Sequence, residues 1–359
     1  IGKYKRSYTG GENGTYCQTP TISAPSYMNV ITGTWANKHN VFDNKVDKPN
    51  YNYKNIFRLL KEDQKSKTIG IFSTWTDNRV KLIGEKLPAA GQISFDYKFD
   101  EYEFDESTYP HDSSEIYIQK IDERVVNETV HCLSKSPPDL SWVYLQYPDS
   151  VGHILGDSQG FYNSVEDFDR QIGRIHNSIQ HRIANFNENW LLIVTTDHGR
   201  DAITGQSHGQ QSLRERTTWL FVNSKETNQY FEYYQPSAVD ILPTIARFLR
   251  IQIPIDSQRE LDGVPLIGDV SLIQPEVQLK NQTLILKWKA LDNQQGNVSI
   301  WLSTTNLFSL GLQDNFIFIR NVSLQNQTAE INVEQYPSTF YKIILQGQFN
   351  IVNRFFFVQ

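Results

Sequence analysis

With 359 residues, 39% of them hydrophobic and 21% charged, the chain can bury a core in each of two domains and is not a disordered polypeptide. Its net charge of −6 excludes the basic surface that a binder of nucleic-acid duplexes presents. No apolar run reaches the ~18 residues of a membrane-spanning helix, so no transmembrane segment is expected. In chain order, a polar, proline-containing turn after Cys17 leads into a short apolar helix over 25–32. An amphipathic helix is expected over 54–64, and buried strands at "KTIGIFSTW" (67–75) and "DLSWVYLQY" (139–147). Phe161, Val165, Phe168, Ile172 and Ile175 recur at helical spacing within a long helix over 158–186, which also carries His176 and His181 on what reads as a solvated face. Strands follow at "WLLIVTT" (190–196) and "TTWLFVN" (217–223). A last helix, over 236–251, must be kinked or interrupted at Pro243. Strands alternating with helices imply an α/β layer fold with a largely parallel sheet.

The texture changes after residue 268. "QTLILKWKAL", "NVSIWLSTT", "NFIFIRNVSL", "AEINVEQY" and "YKIILQGQFNIVNRFFFVQ" are strand-like runs with no helical pattern between them. They imply a small β-sandwich, fibronectin- or immunoglobulin-like, with Trp288 in its core. The domains expected are therefore 1–268 and 269–359. Cys17 and Cys132 fit neither CxxC nor zinc-finger spacing, which leaves two free thiols or one disulfide open. Asn13, Asn127, Asn281, Asn297, Asn321 and Asn326 head Asn-x-Ser/Thr sequons. Asn, Ser and Thr are plentiful here, so chance matches are expected among them. The chain starts at Ile1 without a signal peptide, which fits a fragment or a processed form.

In open α/β sheets, ligands bind beyond the carboxyl ends of the strands. Two strands end there on metal-ligating residue types. One runs into Asp149 and His153, whose spacing places them on one face of a helical turn. The other runs into Asp197 and His198, with Gly199 permitting a tight turn and His208 following. Each alone reads as a capping aspartate or a surface histidine. Together they resemble a carboxylate–imidazole site for zinc-like ions. His39, His111 and His131 lack such a setting. Ser23 lies where an extended segment meets the apolar helix. Its hydroxyl can cap that helix, or the helix amides and a metal ion can make it an acidic nucleophile that holds a phosphoryl oxygen. Thr21 and Ser26 are rivals.

Four motifs in order resemble the alkaline phosphatase superfamily, in its type I phosphodiesterase/nucleotide pyrophosphatase branch, over about residues 15–266. They are Thr19-Pro20-Thr21-Ile22-Ser23-Ala24-Pro25, "PDSVGHILG", "TTDHG" and "SHG". Thr32-Gly33, Asp43-Asn44, "YYQPSAVDILPTIARFL" and "LDGVPL" are similar to further segments of that branch. The resemblance implies Ser23 as nucleophile and Asn44 as donor to a phosphoryl oxygen. It implies one zinc on Asp149, His153 and His208, and a second on Asp197, His198 and the Ser23 hydroxyl. The branch also uses an aspartate at the end of a first central strand upstream of the nucleophile. No apolar strand ending in Asp precedes Ser23, so that strand is expected to be missing and the second site to be one ligand short. Sulfatases need a Cys/Ser-x-Pro-x-Arg stretch, whose arginine is absent here. Cofactor-independent phosphoglycerate mutases share the metal core but fit the local motifs less well.

These readings point to a metal-dependent hydrolase of phosphate diesters or nucleotide pyrophosphate bonds, extracellular or periplasmic. Two other readings stand beside it: a phosphomonoesterase or phosphotransferase on the same core, and a catalytically degenerate protein that binds carbohydrate or another surface through its sandwich. An acidic, aromatic stretch, "FDYKFDEYEFDESTYPHD" (95–112), is either a solvated insertion or a lid for a cationic or base-bearing leaving group.

Overall fold

A computed structural model describes residues 2–292 and 296–358. The first strand, β1 (Lys3–Tyr8), is polar and precedes the helix α1 (Ser23–Thr32), the short α2 (Ala36–His39) and α3 (Ile56–Asp63). Next come β2 (Ile69–Ser73), β3 (Tyr97–Phe99), the twenty-residue α4 (Ile116–Lys135) and β4 (Leu140–Tyr144). Then follow α5 (Tyr147–Leu155), α6 (Gln159–Phe186), β5 (Ile193–Thr195), α7 (Leu213–Arg216) and β6 (Thr217–Val222). The helices α8 (Gln229–Tyr233), α9 (Ile241–Phe248) and α10 (Ile255–Gln258) close this part of the chain. The expected elements are present, most of them shorter than read at their ends, while α1 begins two residues earlier than read. The elements not expected include β1, several short helices, β3, and α4, whose buried face carries Ile118, Ile121, Val125, Val126 and Leu133.

The sheet is divided. A parallel trio has the order β3-β2-β4, and an antiparallel trio the order β1-β6-β5. The parallel character read from the sequence thus belongs to the first trio. Every residue of β2 is buried, as a parallel strand covered on both faces requires. Pro243 neither kinks nor ends its helix. A 3₁₀ turn, Ala238–Asp240, leads into α9, and Pro243 falls in the first turn, where its missing N–H would have no partner in the helix.

The C-terminal region is all β. β7 (Leu272–Lys280), β8 (Thr283–Ala290), β9 (Asn297–Ser303), β10 (Ile317–Ser323), β11 (Thr328–Asn332), β12 (Phe340–Gln346) and β13 (Ile351–Phe357) form two antiparallel sheets, β10-β9-β12-β13 and β11-β8-β7. Alternate residues of β8 (Leu284, Leu286 and Trp288) are buried, and the Trp288 indole donates to the Leu324 carbonyl at 2.9 Å. One hydrophobic cluster joins these residues to Leu220, Val222 and Ile241 of the α/β part. Buried charge crosses the same boundary. Lys342 Nζ, wholly inaccessible, pairs with Glu260 and with Asp314 at 2.6 Å, and Lys38 Nζ reaches Asp262 at 2.6 Å and Asn353 at 3.0 Å. Both cysteines are buried and free, which settles the open pairing in favour of thiols.

Candidate metal centre

Ser23 opens α1 but does not cap it. Ile22 holds the N-cap place with extended backbone, and no side chain caps the helix. The Ser23 hydroxyl lies instead 3.4 Å from His198 Nε2. The two rival hydroxyls hold loops in place. Thr21 donates to the Gln210 carbonyl at 2.7 Å and accepts from the Gly209 amide at 3.0 Å, while buried Ser26 faces the Thr9 hydroxyl at 3.3 Å. Asn44 accepts from the Ala24 amide at 2.9 Å, which engages the first amide after Ser23 and sets the asparagine beside the helix N-terminus. The helix ends on Gly33 in the left-handed region (φ 65°), where a Cβ would crowd Leu242 and Leu261.

The chain leaves β4 and turns at once into α5, with Pro148 in the first turn. Asp149 and His153 stand one turn apart, and His153 Nε2 is 3.3 Å from the Asp149 carboxylate. The chain leaving β5 presents Asp197 and His198, whose carboxylate and Nε2 are also 3.3 Å apart. Gly199 meets a tight approach rather than a tight turn, since a Cβ there would lie 2.0 Å from the Arg214 carbonyl oxygen. The following loop is clamped by Asp201, which accepts the amides of Ile203, Thr204 and Ser207. The loop returns His208 to the cluster. Its ring stacks on His198 with centroids 3.7 Å apart, and its Nε2 lies 3.1 Å from His153 Nε2.

Second contacts orient the imidazole rings. His198 Nδ1 is 3.0 Å from the Gly199 carbonyl and His208 Nδ1 is 2.9 Å from the Thr21 carbonyl. A carbonyl only accepts, so both Nδ1 atoms carry a proton and each Nε2 is the ring atom turned toward the cluster. Ligand atoms of Asp149, His198 and His208 fall within 4.8 Å of one another. This trio mixes the two sets that the resemblance separates, because all five side chains form one continuous cluster. Burial pushes the Asp149 carboxyl up, but the His153 hydrogen bond and the charges of His198 and Arg200 outweigh it and hold it far below the usual carboxylate range. The Asp149 hydrogen bond raises His153, while burial and then the His198 charge lower His208. Asp197 Oδ2, the oxygen that faces His198 Nε2 at 3.3 Å, is buried without a hydrogen bond. Imidazole nitrogens and carboxylates gathered in this way form a donor set that could hold a metal ion.

Arg200 was not singled out by sequence reasoning. Its buried guanidinium donates to the carboxylate and, at 2.6 Å, to the carbonyl of Asp149, and to the carbonyls of Gly205 and Gln206. It ties α5 to the loop that carries His208. The only signal was its place directly after "TDHG". The remaining histidines stand apart from the cluster. His39 is fully buried beside Asn29, His111 stacks on Tyr117, His131 and His181 are exposed, and His176 is half-buried on α6.

The upstream aspartate has no counterpart among the described residues. The strand that does precede Ser23, β1, ends at Tyr8 and pairs with β6. β4 and β5 edge their respective sheets, and an apolar cavity of about 1150 Å³ lies along them, lined by Tyr27, Val143, Ile175, Val194 and Ile245.

The model of the type I phosphodiesterase/nucleotide pyrophosphatase family matches residues 5–247, and the chain belongs to that family. It is 24% identical over 207 residues to a Caenorhabditis elegans ectonucleotide pyrophosphatase/phosphodiesterase, C27A7.1, covering 55% of this chain and 23% of the relative. A 2,3-bisphosphoglycerate-independent phosphoglycerate mutase of Mycoplasmoides gallisepticum is 28% identical over 130 residues, covering 36% of this chain and 24% of that protein. The chain thus spans about a quarter of the length of these relatives. Among solved structures, a putative sulfatase from Bacteroides thetaiotaomicron shares the fold with a TM-score of 0.51 at 11% identity, covering 93% of this chain and 78% of that one. Murine ectonucleotide pyrophosphatase/phosphodiesterase 5 aligns with a TM-score of 0.44 at 14% identity, covering 65% and 85%. The fold is the mixed α/β arrangement of the alkaline phosphatase superfamily with an added C-terminal β region.

Proposed function

We propose that the chain hydrolyses phosphate diesters or nucleotide pyrophosphate bonds through a phosphoserine intermediate on Ser23. The observation that carries this reading is the Ser23 hydroxyl, free of any capping role, beside His198 in a cluster of three imidazoles and two carboxylates. The donor set suits two divalent cations, and three imidazoles favour zinc. Asp149, His153 and His208 would hold one; Asp197, His198 and the Ser23 hydroxyl would hold the other. When bound, such cations supply charge that acidifies the serine hydroxyl and offsets the leaving oxygen.

Ser23 Oγ attacks phosphorus in line, and the bond to the leaving oxygen breaks on the opposite side. Water then cleaves the phosphoserine ester and restores the hydroxyl. The N-terminus of α1 favours the anionic phosphoryl group at Ser23. Asn44, anchored on the Ala24 amide, keeps its Nδ2 group for a non-bridging oxygen. Arg200 holds Asp149 in place. The six sequon asparagines are all exposed, which supports an extracellular setting, and no described helix is long and apolar enough to cross a membrane.

Ser23→Ala tests the assignment. Turnover of bis(4-nitrophenyl) phosphate is expected to fall by more than about a thousandfold, with zinc retained at the Asp149, His153 and His208 site. Retained turnover would move the nucleophile elsewhere. A wild-type preference for 4-nitrophenyl phosphate over the diester would favour the monoesterase reading instead.

A further inference from the structure

Asp122, on α4, is an ionisable side chain wholly closed off from water, beside Ile121 and Val125 on the buried face of that helix. Packing alone would be served there by an apolar residue, since a carboxylate taken out of water is costly unless strong donors meet it. Burial pushes the Asp122 carboxyl up to about 6, although the hydrogen bonds it accepts pull the other way. What meets it is a hydroxyl and two backbone amides. Thr74 donates at 2.5 Å, the Gln146 amide lies 3.0 Å from both oxygens, and the Tyr147 amide donates at 2.8 Å.

These contacts complete the start of α5. The first amides of a helix have no partner within it. Gln146, at the N-cap, has helical backbone, and its own side chain does not cap. Pro148 has no N–H, and the amides of Asp149 and Ser150 reach back to the Gln146 carbonyl at 3.0 and 3.3 Å. The amides of Gln146 and Tyr147 are left, and Asp122 takes both. A capping carboxylate is thus delivered from a different helix, with its charge at the positive end of the α5 dipole. Thr74, just past β2, also donates its amide to the Tyr144 carbonyl at the end of β4, at 3.3 Å. Asp122 therefore joins the carboxyl ends of two parallel strands to the helix that follows the second.

That helix carries Asp149 and His153. Successive residues of an α-helix stand about 100° apart around its axis, so both side chains face the cluster in one rotational setting of α5 only. Asp149 comes two residues after Tyr147, in the first turn, where the amides held by Asp122 fix that setting. Arg200 grips Asp149 itself, and Asp122 grips the backbone ahead of it.

We propose that Asp122 is a positioning residue for the metal centre: by holding the first two amides of α5, it sets the rotation at which Asp149 and His153 meet His208. This assignment rests on the metal-binding reading of the cluster.

The test titrates zinc into the metal-free protein against a chromogenic chelator. Asp122→Ala is expected to bind zinc at least about tenfold more weakly, as when a contact that orients a metal ligand is lost. Asp122→Asn keeps one oxygen for the two amides and can turn its NH2 group to the Thr74 hydroxyl, so it is expected to restore affinity close to that of the wild type. Val125→Ala removes apolar volume from the same face of α4, and is expected to lower the melting temperature with zinc affinity unchanged. Cobalt(II) in place of zinc adds a spectroscopic readout. Its visible bands are expected to change in Asp122→Ala and to keep the wild-type form in the other two variants. Wild-type affinity and spectrum in Asp122→Ala overturn the proposal, as does an equal loss of zinc affinity in Val125→Ala. A wild-type protein that takes up neither metal refutes the metal-binding reading itself, and the proposal falls with it. If a melting curve shows that Asp122→Ala does not fold, Asp122→Ser, whose short hydroxyl cannot span both amides, takes its place in the same comparison.

Discussion

Gly152 is the position at which the geometry of the centre can be perturbed without touching a ligand. A Cβ there would lie 2.2 Å from Arg200 Cζ and 2.3 Å from its Nε. Non-bonded carbons settle about 3.5–4.0 Å apart, so in Gly152→Ala the guanidinium must retreat by more than an ångström. A shift of that size takes it out of hydrogen-bond range of the Asp149 carboxylate and carbonyl. Loss of a contact that orients a metal ligand costs about 10–100-fold in metal affinity, or about 1.4–2.7 kcal/mol. Titration of zinc into the metal-free protein against a chromogenic chelator is expected to show that loss, and phosphodiester turnover at limiting zinc should fall with it. Arg200→Met should weaken zinc by a similar factor. If the alanine acts by displacing Arg200, the double variant should be little worse than either single one, because both remove the same contact. Full zinc affinity in Gly152→Ala, or strictly additive effects in the double variant, would refute the reasoning.

Two further predictions concern stability. Burial lowers the His39 pKa from 6.5 to about 3, so the unfolded chain binds a proton that the folded one refuses. The stability from neutral His39 is complete above pH 6.5 and is lost as the pH falls. It amounts to about 2 kcal/mol lost by pH 5 at 1.36 kcal/mol per unit. Urea midpoints measured between pH 8 and pH 5 should show this slope, and His39→Gln should flatten it; an unchanged slope would show that other groups carry it. Lys342 is wholly buried between Glu260 and Asp314. Lys342→Met leaves two buried carboxylates unpaired and is expected to cost about 3–5 kcal/mol in chemical denaturation, and a loss under about 1 kcal/mol would mean that water reaches the pair.

What the sequence made legible follows from where its information is local. The strand ends at Asp149 and Asp197 could be read because an apolar strand that stops on a carboxylate and an imidazole is a short-range pattern, and the i,i+4 step to His153 needs only one helical turn. The sandwich strands were legible because alternation buries Leu284, Leu286 and Trp288 while their neighbours stay more exposed. β1 was not, because "KYKRSY" buries only Ser7 and takes its place through pairing with β6, more than 200 residues away. Arg200 was missed for a related reason. A charged residue in a polar loop gives no local sign that it will be buried, and its partner Asp149 lies 51 residues back. The order of the cluster was also beyond local reading. Motifs assign ligands in sets by their place in the sequence, whereas stacking of His198 on His208 depends on the clamp by Asp201 and on the carbonyl of Thr21. Those contacts turn residues from three distant segments into one donor surface. A change in the clamp, with every ligand intact, should therefore disturb the centre as surely as the loss of a ligand.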